Sequence, residues 1–315
     1  MGGIPADPTA PLQRGCLMKP IHLALILSLA PAPAFAGKPV PAGTSNPEIV
    51  YVNISGGTRR NYALRVANED GSGANTIYSS RDIGQMMPHM GPKADRTILL
   101  IQGSNVSLVR YEPTATGTKL TSIEELPPIG SSRGAAEQVD FSPDGKKFVS
   151  YSPLDKTLWI FDLVQRSFTP LLALQDHPPG FAFSRDSSAI FYLDRVSSTE
   201  SALKKVELAS GAVTDMGISG DYWWVEPAHQ SDSFVLVRGL DYATSRIEYH
   251  PGDGSAPTDL AQGYAPSIQC DDSSVIYQKI NSGSSSVSLF RVEVASKAGS
   301  TTSTSGNYWP DYVGC

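Results

Sequence analysis

The sequence predicts an all-β protein, a six-bladed β-propeller, and three observations lead to that prediction. Short apolar strand-like segments recur along the chain at intervals of 49, 50, 42, 44 and 41 residues. Polar turns separate the segments, and helical periodicity is almost absent. A repeat of about 40 to 50 residues with four short strands is typical of a propeller blade. The six markers of the repeat are Ile49, Ile98, Phe148, Ile190, Phe234 and Val275.

The best-preserved repeat begins with the segment 141–151, which contains a Ser-Pro-Asp-Gly turn between two alternating apolar strands. Pro presets φ, Asp hydrogen-bonds to nearby backbone, and Gly accepts a positive φ, so these residues favour a tight turn. Residues 158–162 then form a third strand that ends in an acidic residue, and 168–172 a fourth strand. Degraded copies of this unit occupy the rest of the chain.

The two ends of the chain predict how the ring closes. The chain enters its first blade at a second strand, near Ile49, and that blade lacks an inner strand of its own. Aligning Pro310 with Pro266 places residues 310–315 on an inner strand. We therefore expect the C-terminal strand to complete the N-terminal blade, which would pair strand edges otherwise left open.

Residues 1–36 are predicted to be an upstream extension and a secretory signal peptide, cleaved after Ala36. A basic start at Met18-Lys19 precedes a short apolar run, and an Ala-Phe-Ala site follows. The sequence leaves open whether the chain starts at Met1 or Met18. Residues 37–47 are predicted to be a short lead-in, and 48–315 a single propeller domain. The protein is therefore expected in the periplasm.

Composition excludes some partners. The whole chain carries a formal charge of −6, and without residues 1–36 it keeps 23 Lys and Arg against 30 Asp and Glu, a charge of −7. An acidic chain without a Lys/Arg cluster is a poor candidate for binding nucleic acid. No apolar run in the mature chain approaches membrane-spanning length. The sequence does not determine the oligomeric state, for which a monomer is the simplest expectation.

Two cysteines remain after export, Cys270 and Cys315. They fall at near-equivalent places on the inner strands of neighbouring blades, and an even pair in an oxidising compartment favours a disulfide. Two free thiols are the alternative.

The repeats resemble those of the TolB-like β-propeller family, whose namesake is the periplasmic component of the Tol–Pal system. The resemblance rests on the segments 141–148 and 183–190 and on the turn 68–73, and covers nearly the whole mature chain. TolB itself has an additional domain before its propeller, whereas only about ten residues here separate the cleavage site from the first strand, so the chain is not identified with TolB. The resemblance implies a protein-binding scaffold and names no partner.

Clustered aromatic residues are the main candidates for a binding site. They open the inner strands of three successive blades, where the connections from fourth to first strands should meet at one rim of the channel. Tyr and Trp are enriched at binding hot spots, although the same rings could instead pack between blades as core. The candidates are Tyr222, Trp223, Trp224, Tyr264, Tyr308 and Trp309.

No catalytic residue, metal site or cofactor is predicted. Residues 130–134 fit the Gly-x-Ser-x-Gly nucleophile pattern but run into a strand, whereas that mechanism needs a strand–turn–helix. The four histidines of the mature chain are not spaced like a set of metal ligands; they are His89, His177, His229 and His250.

The expected function is therefore a non-enzymatic scaffold that binds a protein or peptide of the cell envelope through one face of the ring. The alternative is a carbohydrate-active propeller that binds or cleaves a glycan with channel-lining residues.

Overall fold

A computed structural model describes residues 48–56, 60–81, 86–91, 95–102, 105–114, 117–128, 138–281, 286–303 and 306–312. The chain divides into residues 1–44 and 45–315, and all described residues belong to the second unit. The predicted signal peptide and lead-in, and the Gly-x-Ser-x-Gly pattern at 130–134, lie outside the described residues. No helix in the described part of the chain is long and apolar enough to cross a membrane.

The described chain forms 24 strands. In chain order they are β1 (Glu48–Ser55), β2 (Asn61–Asn68), β3 (Asn75–Arg81), β4 (Met86–Met90), β5 (Thr97–Gln102), β6 (Asn105–Thr114), β7 (Gly117–Glu125), β8 (Val139–Phe141), β9 (Lys147–Ser152), β10 (Thr157–Asp162), β11 (Ser167–Ala173), β12 (Phe181–Phe183), β13 (Ala189–Arg195), β14 (Ser201–Glu207), β15 (Val213–Gly220), β16 (Tyr222–Pro227), β17 (Phe234–Arg238), β18 (Arg246–His250), β19 (Thr258–Gln262), β20 (Tyr264–Ile268), β21 (Ser274–Ile280), β22 (Val287–Glu293), β23 (Gly299–Ser303) and β24 (Asn307–Tyr312).

These strands build six antiparallel sheets of four strands each, which are the blades of a propeller. Five blades contain four consecutive strands, beginning with β4, β8, β12, β16 and β20. The sixth has the order β24-β1-β2-β3, so the last strand of the chain joins the first three. The prediction of a six-bladed propeller closed by the C-terminal strand is confirmed. The inner strands are β4, β8, β12, β16, β20 and β24.

Ring closure depends on backbone pairing and on a buried polar network. Strand β24 pairs antiparallel with β1, from Ile49 opposite Tyr312 to Asn53 opposite Asn307. The Glu69 carboxylate accepts hydrogen bonds from the Tyr312 hydroxyl and from Arg291 Nε. Because Arg291 belongs to the neighbouring blade, Glu69 links that blade to the one in which the two ends of the chain meet.

Each blade packs both faces of its sheet against neighbouring blades, which explains the unbroken apolar runs of the sequence. In β5, Ile98, Leu99 and Leu100 are each fully buried, although consecutive side chains of a strand point to opposite faces. Ile98 and Leu100 pack with β1 and β2, whereas Leu99 packs with β8 and β9. Burial of both faces stabilises the ring without a single central core.

The Ser-Pro-Asp-Gly segment forms the predicted turn between the first and second strands of its blade. Ser142 Oγ donates to Asp144 Oδ1 at 2.7 Å, and Gly145 adopts a φ of 69°. The amide of Asp144 donates to Ser187 Oγ of the next blade at 3.1 Å. This turn therefore stabilises both its own hairpin and the contact between two blades.

Alternation of strand direction places the connections of each blade on two faces of the ring. Connections from fourth to first strands and from second to third strands lie on one face, which we call the cup face. The Ser-Pro-Asp-Gly turn joins a first strand to a second strand and lies on the opposite face.

Candidate functional site

The cup face contains a depression of about 610 Å³ over one end of the channel, which we call the cup. This volume is within the range of about 300–1,000 Å³ that is typical of ligand sites. The inner strands of several blades and two hairpins that rise around them contribute its walls. The cup is lined by Ile54, Gly56, Arg60, Tyr62, Met87, His89, Gln138, His177, Pro179, Trp223, Trp224, Tyr242, Tyr264, Ala265, Gln278, Tyr308 and Trp309.

Five of the six predicted aromatic residues line the cup: Trp223, Trp224, Tyr264, Tyr308 and Trp309. Tyr222 lies elsewhere, in the core between the blades that begin with β12 and β16, and is only 6% exposed. Its hydroxyl donates to Glu248 at 3.0 Å. The two interpretations of the aromatic cluster thus apply to different members, since Tyr222 packs as core while the others form a concave surface. Whether that surface binds a partner stays a prediction.

One wall of the cup is a packed group of three rings. The rings of Trp223 and Tyr242 are perpendicular, with centroids 5.1 Å apart, and those of Tyr242 and Tyr264 are 4.9 Å apart. Such edge-to-face contacts stabilise the rings in fixed orientations. Burial raises the pKa of Tyr264 to about 12, and the neighbouring hydroxyls of Tyr308 and Tyr242 act in the same direction. Tyr264 therefore keeps its proton and can act as a donor at neutral pH.

Irregular backbone in the inner strands accompanies the aromatic wall. The pairings of β16, β20 and β24 with their second strands each contain a register shift, whereas those of β4, β8 and β12 do not. Ala265 and Trp309 occupy equivalent positions and have φ values of 45° and 49°. Left-handed backbone is unfavourable for residues other than Gly, and such strain is concentrated at functional sites. The irregular inner strands are thus the same three that contribute the predicted aromatic residues of the cup lining.

Several buried donors that line the cup lack an acceptor. Gln278 on β21 is 1% exposed, and its side-chain nitrogen has no hydrogen-bond partner among the described residues. The indole nitrogens of Trp223 and Trp224 are likewise buried without a partner in the described part of the chain. A buried donor without an acceptor costs about 1–3 kcal/mol. Unused hydrogen-bond donors are therefore concentrated in side chains that line the cup.

The charge of the cup differs from that of the whole chain. Arg60 is exposed at its mouth, and none of the described lining residues is Asp or Glu. Burial lowers the pKa of His89 to about 4, so its imidazole is neutral at physiological pH. The cup thus offers aromatic faces and hydrogen-bond donors, with little negative charge near its mouth.

Exposed apolar side chains surround the cup on three successive blades. They lie in the turns between second and third strands, and are Leu154 (69% exposed), Val196 (62%), Leu240 (49%) and Tyr242 (55%). Val164 is 78% exposed on the opposite face, so exposed apolar groups are more numerous on the cup face without being confined to it. Groups of exposed apolar side chains are typical of surfaces that contact another protein.

Below the cup, the channel contains three carboxyl groups from alternate blades. Asp140, Glu226 and Asp311 occupy equivalent positions on β8, β16 and β24, and all three line the channel next to the cup. Asp140 Oδ2 accepts from the amide of Phe183 at 2.7 Å, and Asp311 Oδ2 accepts from that of Met90 at 2.7 Å. Each of these acceptors is bonded to the inner strand of the next blade.

Burial perturbs these carboxyl groups. The pKa of Asp140 is raised to about 7, chiefly by burial and also by the negative charge of Asp311, while the hydrogen bond from the Phe183 amide acts in the opposite direction. Burial also raises the pKa of Asp311 to about 6, against hydrogen bonds from Met90 and Ser267. The pKa of Glu226 is raised by burial and by the charges of the other two groups. Burial and mutual repulsion therefore favour the protonated form of these carboxyl groups.

The histidines do not form a metal site within the described chain, where no group of three or more His, Cys, Asp and Glu residues is placed to hold an ion. His89 and His177 line the cup, whereas His229 lines the far end of the channel. His250 packs against Tyr222 in the blade that begins with β16, with ring centroids 5.5 Å apart.

Cys270 follows β20 and is disulfide-bonded. Its predicted partner, Cys315, lies outside the described residues, so the identity of the pair stays a prediction.

Sequence reasoning missed three features of the site. Tyr242 follows no repeat position that would set it apart, and the absence of an acceptor for Gln278 depends on three-dimensional packing. The channel carboxyl groups did carry a signal. The alignment of Pro310 with Pro266 puts Asp311 at the position of Ser267. Extension of this alignment to the other repeats puts Glu226 and Asp140 at the same position of their inner strands.

Comparison with known proteins gives structural matches only. No family model and no curated protein matches the sequence. TolB from Acinetobacter baumannii is similar with a TM-score of 0.66 and 16% identity, over 85% of this chain and 66% of that one. A TolB candidate from Agrobacterium tumefaciens has a TM-score of 0.59 and 12% identity, over 82% of this chain and 89% of its own.

A chain from a nidogen/laminin complex has a TM-score of 0.62 and 9% identity, over 85% of this chain and 98% of that one. Because similarity at these identities reaches proteins as different as TolB and a nidogen/laminin chain, it identifies a fold and leaves the activity open. The match to the Acinetobacter protein also spans less than two thirds of that chain. The comparisons and the strand order agree that this chain folds as a six-bladed β-propeller, the fold of the TolB structures to which it is similar.

Proposed function

We propose that this protein is an exported, non-enzymatic scaffold that binds a peptide, or an extended segment of a cell-envelope protein, in the cup. The observation that carries the proposal is the set of buried donors without acceptors, Gln278 above all, that line an aromatic depression. A peptide backbone supplies carbonyl acceptors at regular spacing, and its side chains can pack on Tyr and Trp rings.

The surroundings of the cup support a polypeptide rather than a small molecule. The exposed turns of Leu154, Val196 and Leu240 extend the apolar surface beyond the cup. A protein segment could fill the cup and contact these turns together. The glycan alternative is not favoured, because hydrolysis of a glycoside commonly uses a pair of carboxyl groups beside the bound sugar, whereas Asp140, Glu226 and Asp311 lie in the channel below the cup. The space of about 40 Å³ there is too small for a sugar ring.

Location in the periplasm belongs to the same proposal. The sequence pattern at residues 18–36 supports export. The disulfide at Cys270 is consistent with an oxidising compartment.

Affinity capture from envelope extract tests the proposal when it is done with matched variants. Gln278→Met removes a donor that lacks an acceptor, so the free protein should be at least as stable as the wild type. Binding should nevertheless weaken by about tenfold, since a ligand carbonyl loses its donor. Trp224→Ala should weaken binding further by removing an aromatic face. Gln165→Met, an exposed position on the opposite face, serves as the control and should change neither property.

Thermal unfolding of each variant separates loss of binding from loss of structure. A captured protein that is lost from Gln278→Met and Trp224→Ala, and retained by Gln165→Met, would support the cup as the binding site. Retention of the same protein by both folded cup variants would contradict the proposal.

A further inference from the structure

The cup continues into the channel, so that a ligand in the cup reaches the buried carboxyl groups. His89, Gln138, Trp224, Ala265 and Trp309 line both the cup and the upper channel. The carboxyl groups of Asp140, Glu226 and Asp311 follow directly below. From Trp309 to Asp311 is two residues along the inner strand, about 7 Å.

We propose that the site recognises a primary ammonium group, presented by a bound peptide and inserted from the cup to the ring of Asp140, Glu226 and Asp311. The proposal rests on the proposed function, because the rest of the peptide would occupy the cup. The ammonium group could come from a lysine side chain or from a free amino terminus.

The two parts of the site suit complementary parts of such a ligand. The buried donors of the cup, including Gln278 Nε2, suit the carbonyl oxygens of a peptide. The carboxyl groups of the channel suit a donor that carries positive charge, since hydrogen bonds between ionised groups are about twice as strong as neutral ones. A ligand that enters the site thus meets donors first and acceptors below.

The width of the channel favours an unbranched cation. The space at the level of the carboxyl groups is about 40 Å³ in the upper channel and about 80 Å³ in the lower. A single water molecule needs a space of at least about 10–15 Å³, so the upper channel can hold a short row of water molecules. A lysine side chain is a single file of four carbons with a compact head, whereas a guanidinium is planar and wider.

Other charged groups near the ring do not already neutralise it. At the same level, the remaining inner strands present His89 on β4, Ala182 on β12 and Ser267 on β20. The low pKa of His89 keeps its imidazole neutral. At the lower end, Arg185 pairs with Asp232 at 3.2 Å and His229 has a pKa lowered by burial. Within the described channel lining, the three carboxyl groups therefore lack a cation that would balance them.

Ionisation of the ring adds a pH dependence to the inference. Free carboxyl groups with raised pKa values are partly protonated near neutral pH, and an inserted ammonium group would lower those pKa values. Binding should therefore release protons, and its affinity should rise between about pH 5 and pH 8.

The test begins with selection of peptides from a displayed random heptapeptide library on the whole protein in the presence of EDTA. Selected peptides are then synthesised with each lysine replaced by norleucine, and separately with an acetylated amino terminus. Affinity is measured from quenching of tryptophan fluorescence. The matched protein variant combines Asp140→Asn, Glu226→Gln and Asp311→Asn, and its folding is verified by thermal unfolding.

We expect one of the two peptide changes to weaken binding by about tenfold or more, which identifies the source of the ammonium group. The carboxamide variant should bind the parent peptide about as weakly as the wild type binds the changed peptide. Peptides that require Trp224 but neither ammonium group would overturn this inference and leave the proposed function intact. Failure to select any peptide that depends on Trp224 would contradict both.

Discussion

Replacement of Asp140 by Asn should make the propeller more stable at neutral and alkaline pH. The substitution removes an ionisable group from the channel but keeps a side-chain oxygen that can accept the Phe183 amide, now 2.7 Å from Asp140 Oδ2. In the wild type the folded pKa is raised, so between about pH 4 and pH 7 the folded state holds a proton that the unfolded state has lost. The free energy of unfolding therefore falls as pH rises through that window.

The magnitude follows from the size of the pKa change. The pKa of Asp140 rises from 3.8 to about 7. At about 1.4 kcal/mol for each pKa unit, ionisation of this group costs the folded state about 4 kcal/mol by pH 8, as an upper limit. The Asn variant lacks this cost. Loss of the negative charge of Asp140 also relieves the repulsion that acts on Asp311 and Glu226.

Urea unfolding at pH 4.5, 5.5, 6.5 and 7.5, followed by tryptophan fluorescence, measures the effect. The stability difference between Asp140→Asn and wild type should grow steadily across the series. The control is Asp186→Asn, because hydrogen bonds from Ser184 and Ser188 lower the pKa of Asp186 to about 2. Its contribution is lost only in stronger acid, so its difference from wild type should stay constant. Parallel curves for Asp140→Asn and wild type would refute the reasoning.

Three further substitutions test how the ring supports the cup. Gly180→Ala would place a methyl group 3.0 Å from Trp224 Cα and should destabilise the protein by about 1–3 kcal/mol in chemical denaturation. The control is Gly299→Ala, whose methyl group would lie 3.6 Å from its nearest neighbour and should not destabilise the protein. Ala265→Gly relieves a φ of 45°, so its melting temperature should be unchanged or slightly higher, and a clear decrease would contradict the assigned strain. Glu69→Gln weakens the closure network with Tyr312 and Arg291 and should cost about 1–3 kcal/mol in urea unfolding, in contrast to the exposed control Glu200→Gln.

The fold could be predicted because it depends on local patterns that repeat. Each blade needs four short strands, and a turn such as 142–145 marks the boundary between two of them even where other copies are degraded. The position of β24 followed from register alone, since Pro310 aligns with Pro266. Because both faces of every blade are buried, its strands need consecutive apolar residues, and these runs are visible in the sequence.

The site was predicted only in part, because it depends on relations between blades. Trp223, Trp224 and Trp309 were found from their place at the start of inner strands, but the same rule included Tyr222, which the bulge in β16 leaves in the core. Pairing of donors with acceptors, as for Gln278, is a property of packing across the ring. No pattern within a single strand reveals it.

Hydrogen–deuterium exchange of the whole protein, with and without a bound peptide or captured partner, tests the central claim most directly. The account predicts new protection at the inner strands beneath the cup, residues 222–226, 264–268 and 307–312. The turn at 141–148 on the opposite face should exchange at the same rate in both states. Protection confined to that turn face, with the three inner strands unchanged, would contradict the assignment of binding to the cup.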